Sequence, residues 1–126
     1  MSSFMVIEDD LSMRFLVKET LKYLGHTEIV SVDNVESALG YLKAGKVPEL
    51  MFLDLILPGE PGYSLAKYVR ESHPEVKLIV VTGLSEEQLL RRLPGRNYDA
   101  VLYKPFDHRQ LKEAVEKFSP GTRGRE

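Results

Sequence analysis

Apolar runs of about four residues alternate with amphipathic stretches along nearly the whole chain. Phe4-Met5-Val6-Ile7 breaks off at Glu8-Asp9-Asp10. The next segment carries Met13, Leu16, Val17, Thr20, Leu21 and Leu24 at helical spacing and stops at Gly25. Ile29-Val30-Ser31-Val32 reads as a second strand. Asp33, with Glu36 three residues on, is expected to cap a helix whose buried stripe is Val35, Ala38, Leu39 and Leu42. Leu50-Met51-Phe52-Leu53 is a third strand ending at Asp54, and Pro58-Gly59-Glu60-Pro61-Gly62 dictates a turn. A helix with Leu65, Ala66 and Val69 follows and is closed off by Pro74. Leu78-Ile79-Val80-Val81 is the fourth strand, ended by Thr82-Gly83. Ser85 and Gln88 fit a capping box for a helix that Pro94-Gly95 terminates. Ala100-Val101-Leu102-Tyr103 is the fifth strand, and Asp107 caps a last helix striped by Leu111, Ala114, Val115 and Phe118.

Five strands thus alternate strictly with five helices. Strands that are apolar throughout belong in a parallel sheet covered on both faces. Alternating βα units of this size predict a doubly wound α/β domain over residues 1–118. Residues 119–126 (SPGTRGRE) are polar and rich in Gly and Pro, and are expected to form a flexible tail or a linker stub.

Composition narrows the field. The 126 residues suit one domain; two would each be starved of core. A hydrophobic share of 43% and a charged share of 29% are those of an ordinary globular chain. Seventeen basic against nineteen acidic residues leave a net charge of −2, which argues against binding nucleic acid by phosphate neutralisation. No apolar run approaches the roughly 18 residues that span a bilayer. The start MSSFMVIEDD reaches acidic residues too early for a secretory signal. The absence of cysteine removes disulfides and thiolate chemistry, and a cytoplasmic setting is expected.

In a doubly wound sheet the ligand site lies at the carboxyl ends of the strands, near the point where strand order reverses. There the first strand delivers Glu8 and Asp9, the third Asp54, the fourth Thr82 and the fifth Lys104. With strand order 2-1-3-4-5 the first and third strands are neighbours, so three carboxylates meet in one cleft. Such a group repels itself unless a positive charge sits among it. Oxygen ligands without His or Cys favour a hard cation, best Mg²⁺. A carboxylate, a Mg²⁺, a lysine and a hydroxyl together suit phosphoryl transfer onto the carboxylate, with Asp54 as nucleophile. Taken singly, each residue has an ordinary structural use as a helix cap, a strand threonine or a solvated lysine. Their arrival from four strands at one end is what points to chemistry.

Glu8-Asp9, Asp54 within LDLILPGEPG, Thr82 within VVTG, and Lys104-Pro105-Phe106 resemble, in type and spacing, the receiver domain of two-component response regulators. The resemblance covers roughly residues 4–118 and implies the flavodoxin-like (βα)₅ fold. It implies that Asp54 accepts a phosphoryl group from a phosphohistidine on a sensor histidine kinase or a histidine phosphotransfer protein. Asp9 would then bind Mg²⁺ directly, Glu8 through water and Ile56 through its backbone carbonyl, while Thr82 and Lys104 would contact the phosphoryl oxygens. The Lys104–Pro105 bond would be cis. The domain would be a signalling switch rather than an enzyme. It would act on an output domain or a downstream protein and could pair with a second copy through its fourth helix, fifth strand and fifth helix.

Three positions depart from the family pattern. The aromatic residue usual three positions before the lysine is replaced by Val101, and the nearest aromatic is Tyr103. Ile56 and Leu84, which flank the phosphoryl site, are apolar, and an altered phosphoryl lifetime is expected. A phosphate-independent adaptor that works by protein–protein binding is the alternative function. Haloacid-dehalogenase-type phosphatases need a second Asp where this chain has Ile56, and a flavodoxin's flavin phosphate would be repelled by Glu8, Asp9 and Asp10. His26, His73 and His108 are expected in solvent near helix ends, and Phe15, Tyr23, Tyr41, Tyr63 and Tyr68 in the core or at its rim.

Overall fold

The computed structural model describes residues 3–57, 59–95 and 97–118. Pro58, part of the expected turn, and the expected tail at 119–126 lie outside the described residues. The elements follow the hydrophobic pattern: β1 (Ser3–Ile7), α1 (Leu11–Tyr23), β2 (Glu28–Val32), α2 (Val35–Lys43), β3 (Leu50–Asp54), α3 (Gly62–Ser72), β4 (Lys77–Thr82), α4 (Glu86–Arg92), β5 (Ala100–Tyr103) and α5 (His108–Phe118). The strands form one parallel sheet in the order β2-β1-β3-β4-β5.

The two-residue period of a strand sorts each apolar run onto two cores. Met5, Ile7, Met51, Leu53, Leu78 and Val80 face one side, where they meet Val35, Ala38 and Leu42 of α2 and Leu65, Ala66 and Val69 of α3. Phe4, Val6, Leu50, Phe52, Ile79 and Val81 face the other, against Val17 and Leu21 of α1 and Leu111 and Val115 of α5. All five residues of β3 are buried, which makes it the central beam of the sheet.

The helix boundaries have local causes. Asp10 caps α1 by accepting from the Ser12 N–H at 3.2 Å. Ser85 and Gln88 close the expected capping box on α4. Asp107 and Gln110 exchange the same pair of bonds at the start of α5. The start of α2 differs from expectation. Asn34, not Asp33, is its cap, with Oδ1 accepting from Ser37 N–H at 2.7 Å. The Asp33 carboxylate is instead engaged by the Asn34 side-chain amide at 2.6 Å.

Two side-chain expectations are also corrected. His26 is buried rather than solvated. Gly25 takes φ +96° after α1, and the Gly25 and His26 N–H groups donate to the Lys22 and Leu21 carbonyls. That Schellman-type turn lays the His26 ring against Phe4, with centroids 4.5 Å apart. Phe15, at 64% exposure, stands outside the core with Tyr23, because the buried stripe of α1 runs through Val17, Thr20 and Leu21 on another face, and Tyr41 of α2 is exposed as well. Tyr63 and Tyr68 do pack at the rim.

Candidate functional site

The carboxyl edge of the sheet gathers the residues singled out from the sequence. Hydrogen bonds between neighbouring strands run on past the strand ends and fix the backbone beneath them. Glu8 N–H donates to Val32 O, Leu55 N–H to Val81 O, and Lys104 N–H to Thr82 O at 2.7 Å. Asp54 and Thr82 are therefore set by the sheet itself, and Glu8, Asp9 and Lys104 lie within two residues of a strand end, which holds a site to tighter tolerances than a free loop.

Glu8, Asp9 and Asp54 each bring a carboxylate oxygen within 4.8 Å of the other two. Glu8 and Asp54 are almost wholly buried, at 3% and 4% exposure, whereas Asp9 is open to solvent. Lys104 reaches in from the end of β5, with Nζ 3.3 Å from Asp54 Oδ2 and 3.4 Å from Glu8 Oε1. The other Asp54 oxygen, Oδ1, accepts from the Ile56 N–H at 3.0 Å. Glu8 Oε2 accepts from Asp10 N–H at 3.1 Å. Thr82 is fully buried, and its Oγ1 accepts from the Leu84 N–H at 3.0 Å, leaving the hydroxyl its own hydrogen to donate. The Lys104–Pro105 bond is cis, as expected.

The electrostatics record the crowding. Burial, followed by a hydrogen bond and repulsion from Asp54, pushes the Glu8 carboxyl up to about 7. Burial alone would pull Lys104 down, but the Asp54 and Glu8 carboxylates outweigh it and hold the ammonium above its usual range. Negative charge at this edge exceeds what the lysine offsets. Three carboxylates with no imidazole or thiolate among them form the donor set a hard divalent cation prefers, and Mg²⁺ fits the residues present.

All six residues singled out from the sequence, Glu8, Asp9, Asp54, Ile56, Thr82 and Lys104, come from this one edge. Ile56 is 53% exposed at its rim and Leu84 is half-buried against the α2–α3 core. Val101 faces that same core, and Tyr103 lies outside at 39% exposure. Two contributors were not read from the sequence. Arg14 of α1, six residues after Glu8, donates from Nη1 to the Glu8 carbonyl at 3.3 Å. Gly62 at the first position of α3 lies against the backbone of Asp54. Its signal was a glycine placed directly after Pro61, at a helix start where no glycine is required.

A five-stranded parallel sheet with an acidic cleft and a lysine at its carboxyl edge defines a phosphoryl-handling signalling domain. Residues 4–116 match the profile of the response regulator receiver domain, and the chain belongs to that family. It is 28% identical over 120 residues to the sensor kinase CckA of Brucella abortus, a match spanning 92% of this chain and 13% of that protein. It is 29% identical over 117 residues to the response regulator protein FleR of Pseudomonas aeruginosa, spanning 93% of this chain and 24% of that protein. The chain thus spans less than a quarter of the length of either relative. The fold matches that of a CheY-like response regulator receiver domain from Methanospirillum hungatei with TM-score 0.86 and 21% identity, covering 100% of this chain and 99% of that one. Among the described residues no helix is long and apolar enough to cross a membrane.

Proposed function

We propose that Asp54 is the phosphoacceptor of this receiver domain and takes its phosphoryl group from a phosphohistidine on a sensor histidine kinase or histidine phosphotransfer protein. The observation that carries this reading is the carboxylate of Asp54, aimed by Ile56 N–H and by Lys104 Nζ into the cleft that Glu8 and Asp9 share. A carboxylate oxygen of Asp54 attacks phosphorus. The new P–O bond forms as the P–N bond breaks, and its electron pair returns to the imidazole nitrogen. Lys104 neutralises charge on the equatorial oxygens, and the Thr82 hydroxyl donates to one of them. Asp9, Asp54, the Ile56 carbonyl and, through water, Glu8 are the groups that would hold Mg²⁺. When bound, Mg²⁺ supplies positive charge against the phosphoryl oxygens.

Phosphorylation then biases a two-state equilibrium, favouring the conformation in which Thr82 and the loop after it close on the phosphoryl group. The surface of α4, β5 and α5 carries the change to an output domain, a downstream protein or a second copy. Residues 1–118 are the receiver domain in this reading, working in the cytoplasm. A complete phosphoryl-handling set favours this reading over that of a phosphate-independent adaptor.

The test is intact mass after incubation with acetyl phosphate and Mg²⁺, beside an Asp54→Asn control. A gain of one phosphoryl group in the parent chain and none in the control is expected. No gain by folded, Mg²⁺-supplied protein would sink the proposal.

A further inference from the structure

Gly62, the first residue of α3, stands where the fold leaves no room for a side chain. A Cβ placed on it would overlap the Asp54 carbonyl oxygen and lie 2.9 Å from the Leu55 Cα. Both obstacles are backbone, so no rotamer change relieves them. Its φ lies outside the left-handed region, so what the position demands is space, not conformational freedom. The Gly62 N–H also donates to Leu55 O at 2.9 Å. The chain therefore leaves the central strand at Leu55 and returns at Gly62 against the same two residues.

Between those two points the chain carries Ile56, whose N–H holds Asp54 Oδ1 at 3.0 Å while Lys104 Nζ stands 3.3 Å from Oδ2. Two donors thus aim the carboxylate, one on a long flexible lysine and one on backbone. The backbone donor stays in place only while the neck stays shut. We infer that Gly62 is a positioning residue, whose bare α-carbon lets the loop seat against β3 and so keeps the Ile56 N–H aimed at Asp54. The consequence for rate rests on the reading of Asp54 as phosphoacceptor; the geometric claim does not. A methyl group at 62 must displace the neck by roughly an ångström, and misplacement of that size costs up to about 10²-fold in a reaction that depends on alignment.

The experiment uses the whole chain and compares Gly62→Ala with two controls. Gly40→Ala alters a helical glycine of α2 with nothing within 4 Å of its added Cβ. Val115→Ala opens the core under α5, remote from the cleft. Phosphoryl uptake is followed against acetyl phosphate concentration at saturating Mg²⁺, and amide hydrogen exchange is read at Ile56. Gly62→Ala is expected to lower the limiting uptake rate at least about tenfold. The half-saturating donor concentration should hold, and Ile56 should exchange at least about tenfold faster. Gly40→Ala and Val115→Ala should keep both the rate and the exchange, although Val115→Ala melts lower. Uptake within twofold of the parent with Ile56 still protected overturns the inference, as does an equal loss of rate in Val115→Ala. Should the parent chain take no phosphoryl group, the acceptor reading falls alone and the Ile56 exchange decides the role of Gly62. Should Gly62→Ala fail to fold, the parent's amides decide it. Gly62 and Ile56 exchanging as slowly as Leu53 support the inference, and either one exchanging as fast as exposed Gly59 overturns it.

Discussion

Lys104 Nζ lies 3.3 Å from Asp54 Oδ2, a contact spanning 50 residues of sequence and two strands of the sheet. The same ammonium stands 3.4 Å from Glu8, so one positive charge serves two buried carboxylates. Removing it leaves both facing each other without compensation. Lys104→Met, measured by urea denaturation without Mg²⁺ at pH 8, should lose about 1–3 kcal/mol of stability. At pH 5.5, where Glu8 holds a proton, the loss should shrink to under half. An equal loss at both pH values would mean that the lysine packs rather than neutralises.

Glu8 sets a second pH dependence. Its folded pKa, about 7, lies above the ordinary 4.5. The protonated form is therefore favoured by folding. Its contribution is fully present below about pH 4.5 and is lost as the pH rises through about 7. Metal-free protein should lose stability across that window, and Glu8→Gln, which cannot ionise, should flatten the profile. Mg²⁺ competes with the same proton. At pH 8 a concentration ten times its dissociation constant should add about 1.4 kcal/mol, and at pH 5.5 the same concentration should add less. Thermal melts at both pH values, with and without Mg²⁺, check the sign.

Much of this was legible in the sequence because it depends on local pattern. Four-residue apolar runs can be buried on both faces in only one kind of sheet. The candidate site residues sit where those runs end, so the same reading that found the strands found the cleft. What escaped depends on neighbours distant in sequence or on close competition between adjacent residues. Asp33 and Asn34 are both good caps, and the backbone selected Asn34 by its extended φ and ψ of −156° and 164°. Nothing within the segment around His26 announces the Phe4 ring that covers it. The constraint on Gly62 is a contact with Asp54, eight residues away, and appears only when the loop closes.

Asp99 joins three elements below the cleft. Its Oδ2 accepts from Leu78 N–H at 2.8 Å and from Arg70 Nη2 at 3.0 Å, tying the approach to β5 to β4 and α3. Burial alone would raise its pKa, but the Leu78 N–H and the Arg70 guanidinium outweigh it and hold the carboxyl below the ordinary 3.8. Because the folded pKa is depressed, this contribution is present above about pH 3.8 and lost as the pH falls through the lower folded value. Asp99→Ala leaves the Leu78 N–H and Arg70 without their acceptor and should cost about 1–3 kcal/mol at pH 7. Between pH 4.5 and 2.5 the parent should lose more stability than the variant, so their urea midpoints converge. A gap that stays constant over that range would show that the bridge is not what the substitution removed.

With Asp54 as the proposed phosphoacceptor, the rim of the cleft should govern how long its phosphoryl group survives. Hydrolysis of an acyl phosphate needs a water held in line with the bond that breaks, and a polar side chain at the rim can orient it. Ile56, two residues beyond Asp54, is largely exposed, and its side chain offers no hydrogen-bonding group. Leu84, two residues beyond Thr82, is anchored by its N–H to Thr82 Oγ1 while its side chain packs on the core. Both positions therefore shed water rather than aim it, and the aspartyl phosphate should be long-lived. Ile56→Asn and Leu84→Glu each place an acceptor at the rim and should shorten the half-life several-fold, the pair more than either alone. The decay of phosphorylated protein after removal of the donor, followed by intact mass at constant Mg²⁺, measures this directly. Half-lives that do not move in either variant would place control of hydrolysis elsewhere, with Lys104 and Thr82 the next positions to substitute.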